Sequence, residues 1–307
     1  MSETPFKSGF VAVVGRPNVG KSTLMNALLN QKVAAVSPRP QTTRRRQLGI
    51  LTVPQGQIIF VDTPGIHNPV HKLGEYMNEV AFEVLQDADL VLWLVEANNR
   101  PTPEDQIVAA RLAGVLARGP LPVLLAVNKV DLVDPATLLQ RLEAYQALCP
   151  TAELRPISAA ESRGTADLLA AIFSHLPEGP AFYDEDQVTD LYERDIAADL
   201  IREACLRNLK DEVPHAVAVR IDEYTERSET TAYIAATLLA EREAHKGILI
   251  GEKGAMLKKI GSMARKEIEE MSGRKIFLDL HVKVLANWRD NPSLLKNLGY
   301  ATEKGSR

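Results

Sequence analysis

One stretch constrains this chain above the rest. The apolar run Phe10–Val14 leads into Gly15-Arg16-Pro17-Asn18-Val19-Gly20-Lys21-Ser22, after which helix-forming residues begin. Strand, G-x-x-x-x-G-K-[ST] loop and helix, in that order, make a phosphate-binding loop. The glycines let backbone pass close to phosphate, and the helix N-terminus offers unpaired N–H groups. Lys21 can reach the outer phosphates and Ser22 can ligate Mg²⁺. Such a unit belongs in a mostly parallel sheet covered by helices on both faces, so the fold expected around it is α/β.

The surrounding residues agree. From Gly9 to Leu176, apolar runs of strand length (10–14, 58–62, 90–95, 123–127, 154–157) alternate with helical patterns at 21–30, 74–87, 104–118, 135–148 and 164–176. Residues 47–53 read as an extra strand turning back on 57–62 across Pro54-Gln55-Gly56. Leu176-Pro177-Glu178-Gly179-Pro180 cannot continue a helix and marks a boundary. A chain of 307 residues has room for two cores. The expected division is a first domain over 1–180, a linker over 181–186, a second domain over 187–290 and a tail over 291–307. In the second domain the pattern predicts a helix at 188–209, strands at 216–224 and 230–240, a glycine-bearing turn, a helix at 254–271 and a strand at 276–285.

Three further tetrapeptide-scale motifs fall at strand ends, where open α/β sheets bind ligands. Asp62-Thr63-Pro64-Gly65 ends the strand at 58–62, placing a carboxylate for the Mg²⁺ shell and a glycine for the γ-phosphate. Asn128-Lys129-Val130-Asp131 makes the site base-specific: Asp131 can accept two hydrogen bonds from guanine N1–H and its exocyclic amine, whereas adenine has no such donor pair. A buried carboxylate left unpaired costs several kcal/mol, so GTP is expected over ATP. Ser158-Ala159-Ala160 follows the next strand, from which a backbone N–H can reach guanine O6.

Together with Gln41-Thr42-Thr43-Arg44-Arg45-Arg46, these motifs resemble the Era branch of the translation-factor-related GTPases, within the TrmE-Era-EngA-like superfamily. The resemblance covers the whole chain. It implies a P-loop NTPase G domain followed by an α+β type II KH domain, with GTP and GDP held by residues 15–22, Thr23, 62–65, Asn128, Lys129, Asp131 and 158–160. It implies that Lys21, Asn18 and Thr43 serve hydrolysis and that Ser22, Thr43 and Asp62 hold Mg²⁺. Thr42 or Thr43 closes over the γ-phosphate; Thr43, which directly precedes the arginine, is favoured. Ile66 stands where Ras-like enzymes keep the glutamine that orients water. In related GTPases an asparagine at the place of Asn18 helps bind an activating K⁺, so K⁺ is the expected further ion.

In the second half, Ile250-Gly251-Glu252-Lys253-Gly254 resembles the GxxG loop of a KH domain, which clamps a few unpaired nucleotides by their backbone. The order helix, strand, strand, helix, GxxG, helix, strand is that of type II KH folds. Residues 246–266 carry six basic groups (Lys246, Lys253, Lys258, Lys259, Arg265, Lys266) against one acidic, a local +5 in a chain of net charge −4. Ile250, Gly251, Glu252, Lys253, Gly254 and Lys258 are the expected RNA contacts. Lys266 and Glu270 also suit an i,i+4 pair on a solvated face. Trp288 and Tyr300 suit either base stacking or a buried place in the tail. The resemblance implies binding to the 3′ end of small-subunit ribosomal RNA and a role in assembly of the small ribosomal subunit. A monomer is expected.

Other readings stand beside this one. In a constitutive RNA-binding protein the nucleotide would be structural. A tRNA-modification GTPase would need a further domain and a reactive C-terminal cysteine, and no cysteine follows Cys205. Cys149 and Cys205 lie in separate halves and read as buried thiols rather than a disulfide or zinc site. The N-terminal residues lack an apolar core of a signal peptide, and no apolar run approaches the ~18 residues that span a bilayer. A cytoplasmic location is expected, with the basic face open to peripheral association with the inner face of the cell membrane.

Overall fold

A computed structural model of the chain describes residues 5–37 and 39–300. The chain divides into two compact units. The first takes the residues through Gln31 with Thr43–Pro69 and Met77–Asp190; the second takes Lys32–Thr42, Val70–Tyr76 and the residues from Leu191 onward.

The first unit is built on a six-stranded sheet of β1 (Lys7–Val14), β2 (Gln47–Val53), β3 (Gly56–Asp62), β4 (Leu90–Glu96), β5 (Val123–Asn128) and β6 (Glu153–Pro156), in the order β2-β3-β1-β4-β5-β6. All neighbours are parallel except β2 and β3, which form the expected hairpin with Val53 opposite Gly56. β3, β4 and β5 are buried along their whole length, which is why they read as unbroken apolar runs. Helices α1 (Lys21–Leu29), α2 (Lys72–Glu83), α3 (Pro103–Leu116), α4 (Pro135–Gln146) and α5 (Thr165–His175) alternate with the strands. Their starts are written locally. Thr102 and Asp105 form a reciprocal capping box ahead of α3, with proline at its first position. Asp134 accepts from the N–H groups of Ala136 and Thr137, both at 3.0 Å, ahead of α4. Strand order reverses about β1, so the loops after β1 and its neighbours open into one crevice.

The stretch after Pro180 differs from expectation. Residues 183–192 are not helical, and the helix expected from 188 begins at Glu193. Residues 181–190 run along the first unit instead. Gln57 Oε1 accepts from the N–H groups of Phe182 (2.8 Å) and Tyr183 (3.0 Å), while Ile50 N–H donates to Val188 O at 2.8 Å and Leu48 N–H to Asp190 Oδ1 at 3.0 Å. The physical reason is the edge strand β2, whose outward N–H groups need acceptors.

The second unit contains α6 (Glu193–Asn208), β7 (Val217–Ser228), β8 (Thr231–Ala240), α7 (Glu243–Ile250), α8 (Ala255–Ser272), β9 (Lys275–Val284) and α9 (Pro292–Asn297). β7 pairs antiparallel with β8, and β9 joins β8 in parallel after the α7–α8 crossover. Ile260, Ala264 and Ile268, spaced by four on α8, meet Ile234, Ala236 and Leu238, spaced by two on β8, and Leu200, Ile201, Ala204 and Cys205 of α6. Lys32–Thr42 belongs to this unit through α6: the buried Glu203 accepts from Val36 N–H at 3.1 Å and pairs with Lys32, and Arg202 donates to Gln41 O at 3.0 Å. Both cysteines are free and buried.

Trp288 and Tyr300 take the buried alternative. Trp288 is fully buried, donates Nε1–H to Ala216 O at 3.1 Å and stacks on Tyr300 with ring centres 6.1 Å apart. The tail, expected over 291–307, is described only as far as Tyr300. Trp288→Ala removes a fully buried aromatic and its hydrogen bond, so the second unit should lose about 3–5 kcal/mol. Urea unfolding followed by hydrogen exchange in β7 and α6 measures it; unaltered protection would refute the assignment of Trp288 to the core.

Candidate nucleotide site and nucleic-acid interface

The loop between β1 and α1 is shaped by close approaches that only glycine permits. Gly15 has φ +151°, and a Cβ there would lie 2.4 Å from Leu94 O; Gly20 has φ +102°, and a Cβ there would lie 2.3 Å from Asn128 Nδ2. Asn18 sits at φ 65° and is exposed, with the half-buried Arg16 and Pro17 on one side and the fully buried Val19 on the other. Lys21 is buried and donates Nζ–H to Gly15 O and Arg16 O, both at 3.1 Å. Burial lowers its pKa to about 8, the Asp62 carboxylate opposing and the Arg16 charge adding to the shift. The ammonium is thus held by weak carbonyl partners where an anion would pair with it. Thr23 follows Ser22 in the first turn of α1, half-buried.

Ser22, Thr43 and Asp62 converge. Ser22 Oγ donates to Asp62 Oδ2 at 2.9 Å, Thr43 Oγ1 to the same oxygen at 3.2 Å, and the two hydroxyls are 3.1 Å apart. Asp62 Oδ1 is buried and has no partner, and burial raises the carboxyl's pKa against the pull of Lys21. Two hydroxyls and an orphaned carboxylate oxygen form the hard-oxygen donor set that suits Mg²⁺. Thr42 is turned elsewhere, its hydroxyl donating to Arg39 O at 2.9 Å. Past β3, Thr63 Oγ1 donates to Val13 O at 2.7 Å, Pro64 is buried, and a Cβ on Gly65 would lie 2.7 Å from Pro17 Cα. Ile66 is fully buried and donates its N–H to Gly15 O at 3.1 Å.

On the other side, Asn128 Nδ2–H donates to Val19 O at 2.8 Å and Asn128 Oδ1 accepts from Ala159 N–H at 2.9 Å. Lys129 Nζ–H donates to Asn18 O at 2.8 Å. Asp131 Oδ1 is buried without a partner, the acceptor a guanine edge would occupy. Ser158 is fully buried and its hydroxyl accepts from Glu161 N–H at 3.3 Å, which with Ala159 engaged leaves the exposed Ala160 to offer an N–H to a base.

In the second unit, Gly251 (φ +70°) and Gly254 (φ +81°) flank Lys253, itself at φ 49°; a Cβ at Gly251 would lie 2.7 Å from Met256 Cβ. Ile250 is half-buried, while Glu252, Lys253 and Lys258 are exposed. Beside the loop a groove of about 560 Å³ runs between α8 and β9, lined by Tyr233, Leu257, Lys258, Arg265, Phe277 and Asp279 among others. None of Lys253, Lys258, Lys259, Arg265 and Lys266 has an ion-pair partner among the described residues, so the Lys266–Glu270 pair does not form.

These features find their counterparts in known proteins. A family model described as 50S ribosome-binding GTPase matches residues 10–129, and a KH domain model matches residues 212–289. The GTPase Era of Geobacter metallireducens is 48% identical over 98% of this chain and 100% of its own length. The chain belongs to the Era family of GTPases. The GTPase Era of Ruminiclostridium cellulolyticum is 48% identical over 97% of this chain and 99% of its own. Among solved structures, Era in complex with MgGDPNP and nucleotides 1506–1542 of 16S ribosomal RNA aligns with TM-score 0.90 and 38% identity, covering 97% of this chain and 100% of that one. An Aquifex aeolicus Era variant bound to GDP and AlF4 aligns with TM-score 0.91 and 38% identity over the same shares. This Era-family protein therefore binds guanine nucleotide and hydrolyses GTP to GDP and phosphate, with a G domain followed by a KH domain.

Sequence reasoning passed over two residues at the Era-family site. Gln47 approaches Asp62 Oδ2 with Nε2 at 3.5 Å, and Glu96, at the end of β4, bonds Arg16 and Lys129. A charged residue closing a fully buried strand was the available signal for Glu96; nothing local marks Gln47.

Two outcomes are expected. Asp131→Asn replaces an acceptor by an amide, which mismatches guanine's two donors and matches a base bearing a carbonyl in place of the amine. GDP affinity should fall at least about a hundredfold and xanthosine diphosphate affinity should rise; titration calorimetry with both nucleotides decides. Lys21, with a folded pKa below its unfolded 10.5, carries fewer protons folded than unfolded between about pH 8 and 10.5, so its contribution to stability grows with pH in that window. Lysine-selective NMR should find Lys21 titrating near pH 8 without nucleotide and not below about pH 10 with GDP bound, because a phosphate charge favours the ammonium.

Proposed function

We propose that this GTPase binds unpaired ribosomal RNA at the 3′ end of the small-subunit rRNA and acts in assembly of the small ribosomal subunit, with RNA affinity set by the nucleotide state. The observation that carries the reading is the groove beside Gly251-Glu252-Lys253-Gly254, lined by Lys258 and Arg265, which have no ion-pair partner among the described residues. Duplex RNA would need a broad basic face; a narrow apolar groove with a backbone clamp suits splayed single-stranded bases. The relative crystallised with nucleotides 1506–1542 of 16S ribosomal RNA supports the choice of RNA. The same basic side chains suit an anionic membrane face, but a lipid surface needs no clamp, so peripheral membrane association is secondary. The scheme needs no second copy of the chain, and a monomer is the active unit proposed.

At the nucleotide, Gly15 to Thr23 cradle the phosphates, Lys21 pairs with the outer ones, Gly65 sets its backbone near the γ-phosphate, Asp131 takes guanine N1–H and amine, and Ala160 N–H takes O6. Ser22, Thr43 and Asp62 would hold Mg²⁺, whose charge would offset that of the phosphates. Water attacks the γ-phosphorus and the bond to GDP breaks. Ile66, apolar and fully buried, leaves no side chain there to orient the water. Asn18, exposed on the loop, is suited to ligate a K⁺ that supplies the missing charge. Thr43 directly follows Lys32–Thr42, which packs within the second unit, so an ordering of Thr43 by bound nucleotide would be carried along the chain into that unit. Coupling is reciprocal: the factor by which GTP tightens RNA binding is the factor by which RNA tightens GTP binding.

Anisotropy titrations with a single-stranded 3′-terminal 16S fragment, its duplex and anionic vesicles test the assignment. Gly251→Asp/Gly254→Asp, which puts carboxylates and Cβ atoms at positive φ in the clamp, should weaken the single strand more than about tenfold. Equal binding to the duplex, or affinities identical in the GTP and GDP forms, would favour the constitutive RNA-binder or a general polyanion surface. Hydrolysis should be severalfold faster in K⁺ than in Na⁺, with the difference abolished in Asn18→Ala; equal rates would remove K⁺ from the mechanism.

A further inference from the structure

β4 is buried along its length and ends not on an apolar residue but on Glu96, whose side chain is 5% exposed. Its two oxygens are shared between loops far apart in sequence. Oε1 accepts from Arg16, in the phosphate loop, and from Asn99 Nδ2 at 2.5 Å. Oε2 accepts from Lys129, in the guanine-recognition loop, and the same ammonium donates to Asn18 O of the phosphate loop at 2.8 Å. Behind it Tyr145, fully buried, turns its hydroxyl to the carbonyls of Glu96 and Asn99, both at 3.3 Å. Arg16 is held on its other edge by Asp105, at 3.4 Å from Nε, and Asp105 caps α3. Burial alone would raise the pKa of Glu96, but the bonds from Lys129 and Arg16 outweigh it and keep the carboxylate ionised.

We propose that Glu96 is a positioning residue for guanine specificity: one carboxylate, its oxygens engaged by Arg16, Asn99 and Lys129, keeps the phosphate loop and the base-recognition loop in register. Lys129 has φ 62°, a left-handed conformation that a lysine keeps only when its surroundings hold it. Its side chain is anchored by Glu96 and Asn18, and Asp131 follows two residues later. Replacing the carboxylate by an amide leaves two cations facing each other without the intervening charge, which is strongly unfavourable where water is scarce. Lys129 then withdraws, its backbone relaxes, and Asp131 loses its alignment with the exocyclic amine of guanine. Asn128 does not replace this tie, since its amide bonds Val19 and Ala159 and not the Lys129 side chain.

The inference rests on the placement of guanine at Asp131, and the test separates the two. GDP and inosine diphosphate differ only in the exocyclic amine, so their affinity ratio reads the alignment of Asp131. Wild-type protein should prefer GDP; a ratio near one overturns the guanine placement itself. Glu96→Gln should lower the ratio roughly fivefold or more, a coupling of the size seen between residues in one polar network, while Glu96→Asp, which keeps the charge, restores part of it. A residue that merely stabilised the fold would weaken both nucleotides equally. In a Lys129→Met background Glu96→Gln should change the ratio less than about twofold. An unchanged ratio in Glu96→Gln, or its full effect in the Lys129→Met background, overturns the proposal. If Glu96→Gln does not fold, Asn99→Ala removes one donor and keeps the charge; the ratio should fall in the same direction by a smaller factor, and an unaltered ratio overturns the proposal equally.

Discussion

Asn128 is the hinge on which the nucleotide site is assembled. Its amide nitrogen donates to Val19 O and its amide oxygen accepts from Ala159 N–H, so a single side chain at the end of β5 joins the phosphate loop to the loop after β6. The approach is close enough that a Cβ at Gly20 would collide with Asn128 Nδ2. The phosphate loop, 109 residues before Asn128, and the loop after β6, 31 residues beyond it, meet there because parallel strands deliver their C-terminal ends to one edge. Without that side chain the phosphate loop would lose its hydrogen-bonded link to the loop after β6.

The charges around this hinge are arranged for a guest. Lys21 is buried and bonds only carbonyls, while Asp62 and Asp131 each keep one buried oxygen without a hydrogen-bond partner among the described residues. Unpaired buried polar atoms are destabilising on their own, by roughly 1–3 kcal/mol each. On the proposed reading a triphosphate, a divalent cation and a guanine edge would satisfy all three at once, whereas an adenine ring, lacking the donor pair, would leave Asp131 unpaired. The Arg16–Glu96–Lys129 group is the opposite case: its charges are already matched within the protein, so it acts on position rather than on ligand charge.

The second unit works by different physics. Its core closes by simple periodicity on α8 and β8, and Trp288 and Tyr300 are buried as a stacked pair. The parts proposed to face RNA are exposed lysines and two glycines at positive φ, where main chain rather than side chain would make the contact. Affinity there is expected to depend on salt through the lysines and on strandedness through the groove, two properties with separate origins.

Much of this was written locally. The G-x-x-x-x-G-K-[ST] loop, the DTPG, NKVD and SAA motifs and the GxxG loop depend on residue type at fixed spacing, and the α/β alternation depends on burial that shows directly as apolar runs, so sequence alone determined the fold class and the nucleotide and marked the loop proposed to clamp RNA. Even the choice of Thr43 over Thr42 could be argued from order, and the hydroxyl of Thr42 does turn away to Arg39. What tertiary structure alone decided concerns partners distant along the chain. Residues 181–190 lie along an edge strand instead of starting a helix, because unpaired N–H groups on β2 and the amide of Gln57 claim them. Trp288 is core rather than a base platform because Ala216 O lies within reach of its indole. Glu96 joins two loops that lie 80 and 33 residues from it along the chain only once β1, β4 and β5 stand side by side. Motifs record what a residue can do; which residue it meets depends on strand order, and strand order exists only in the folded chain.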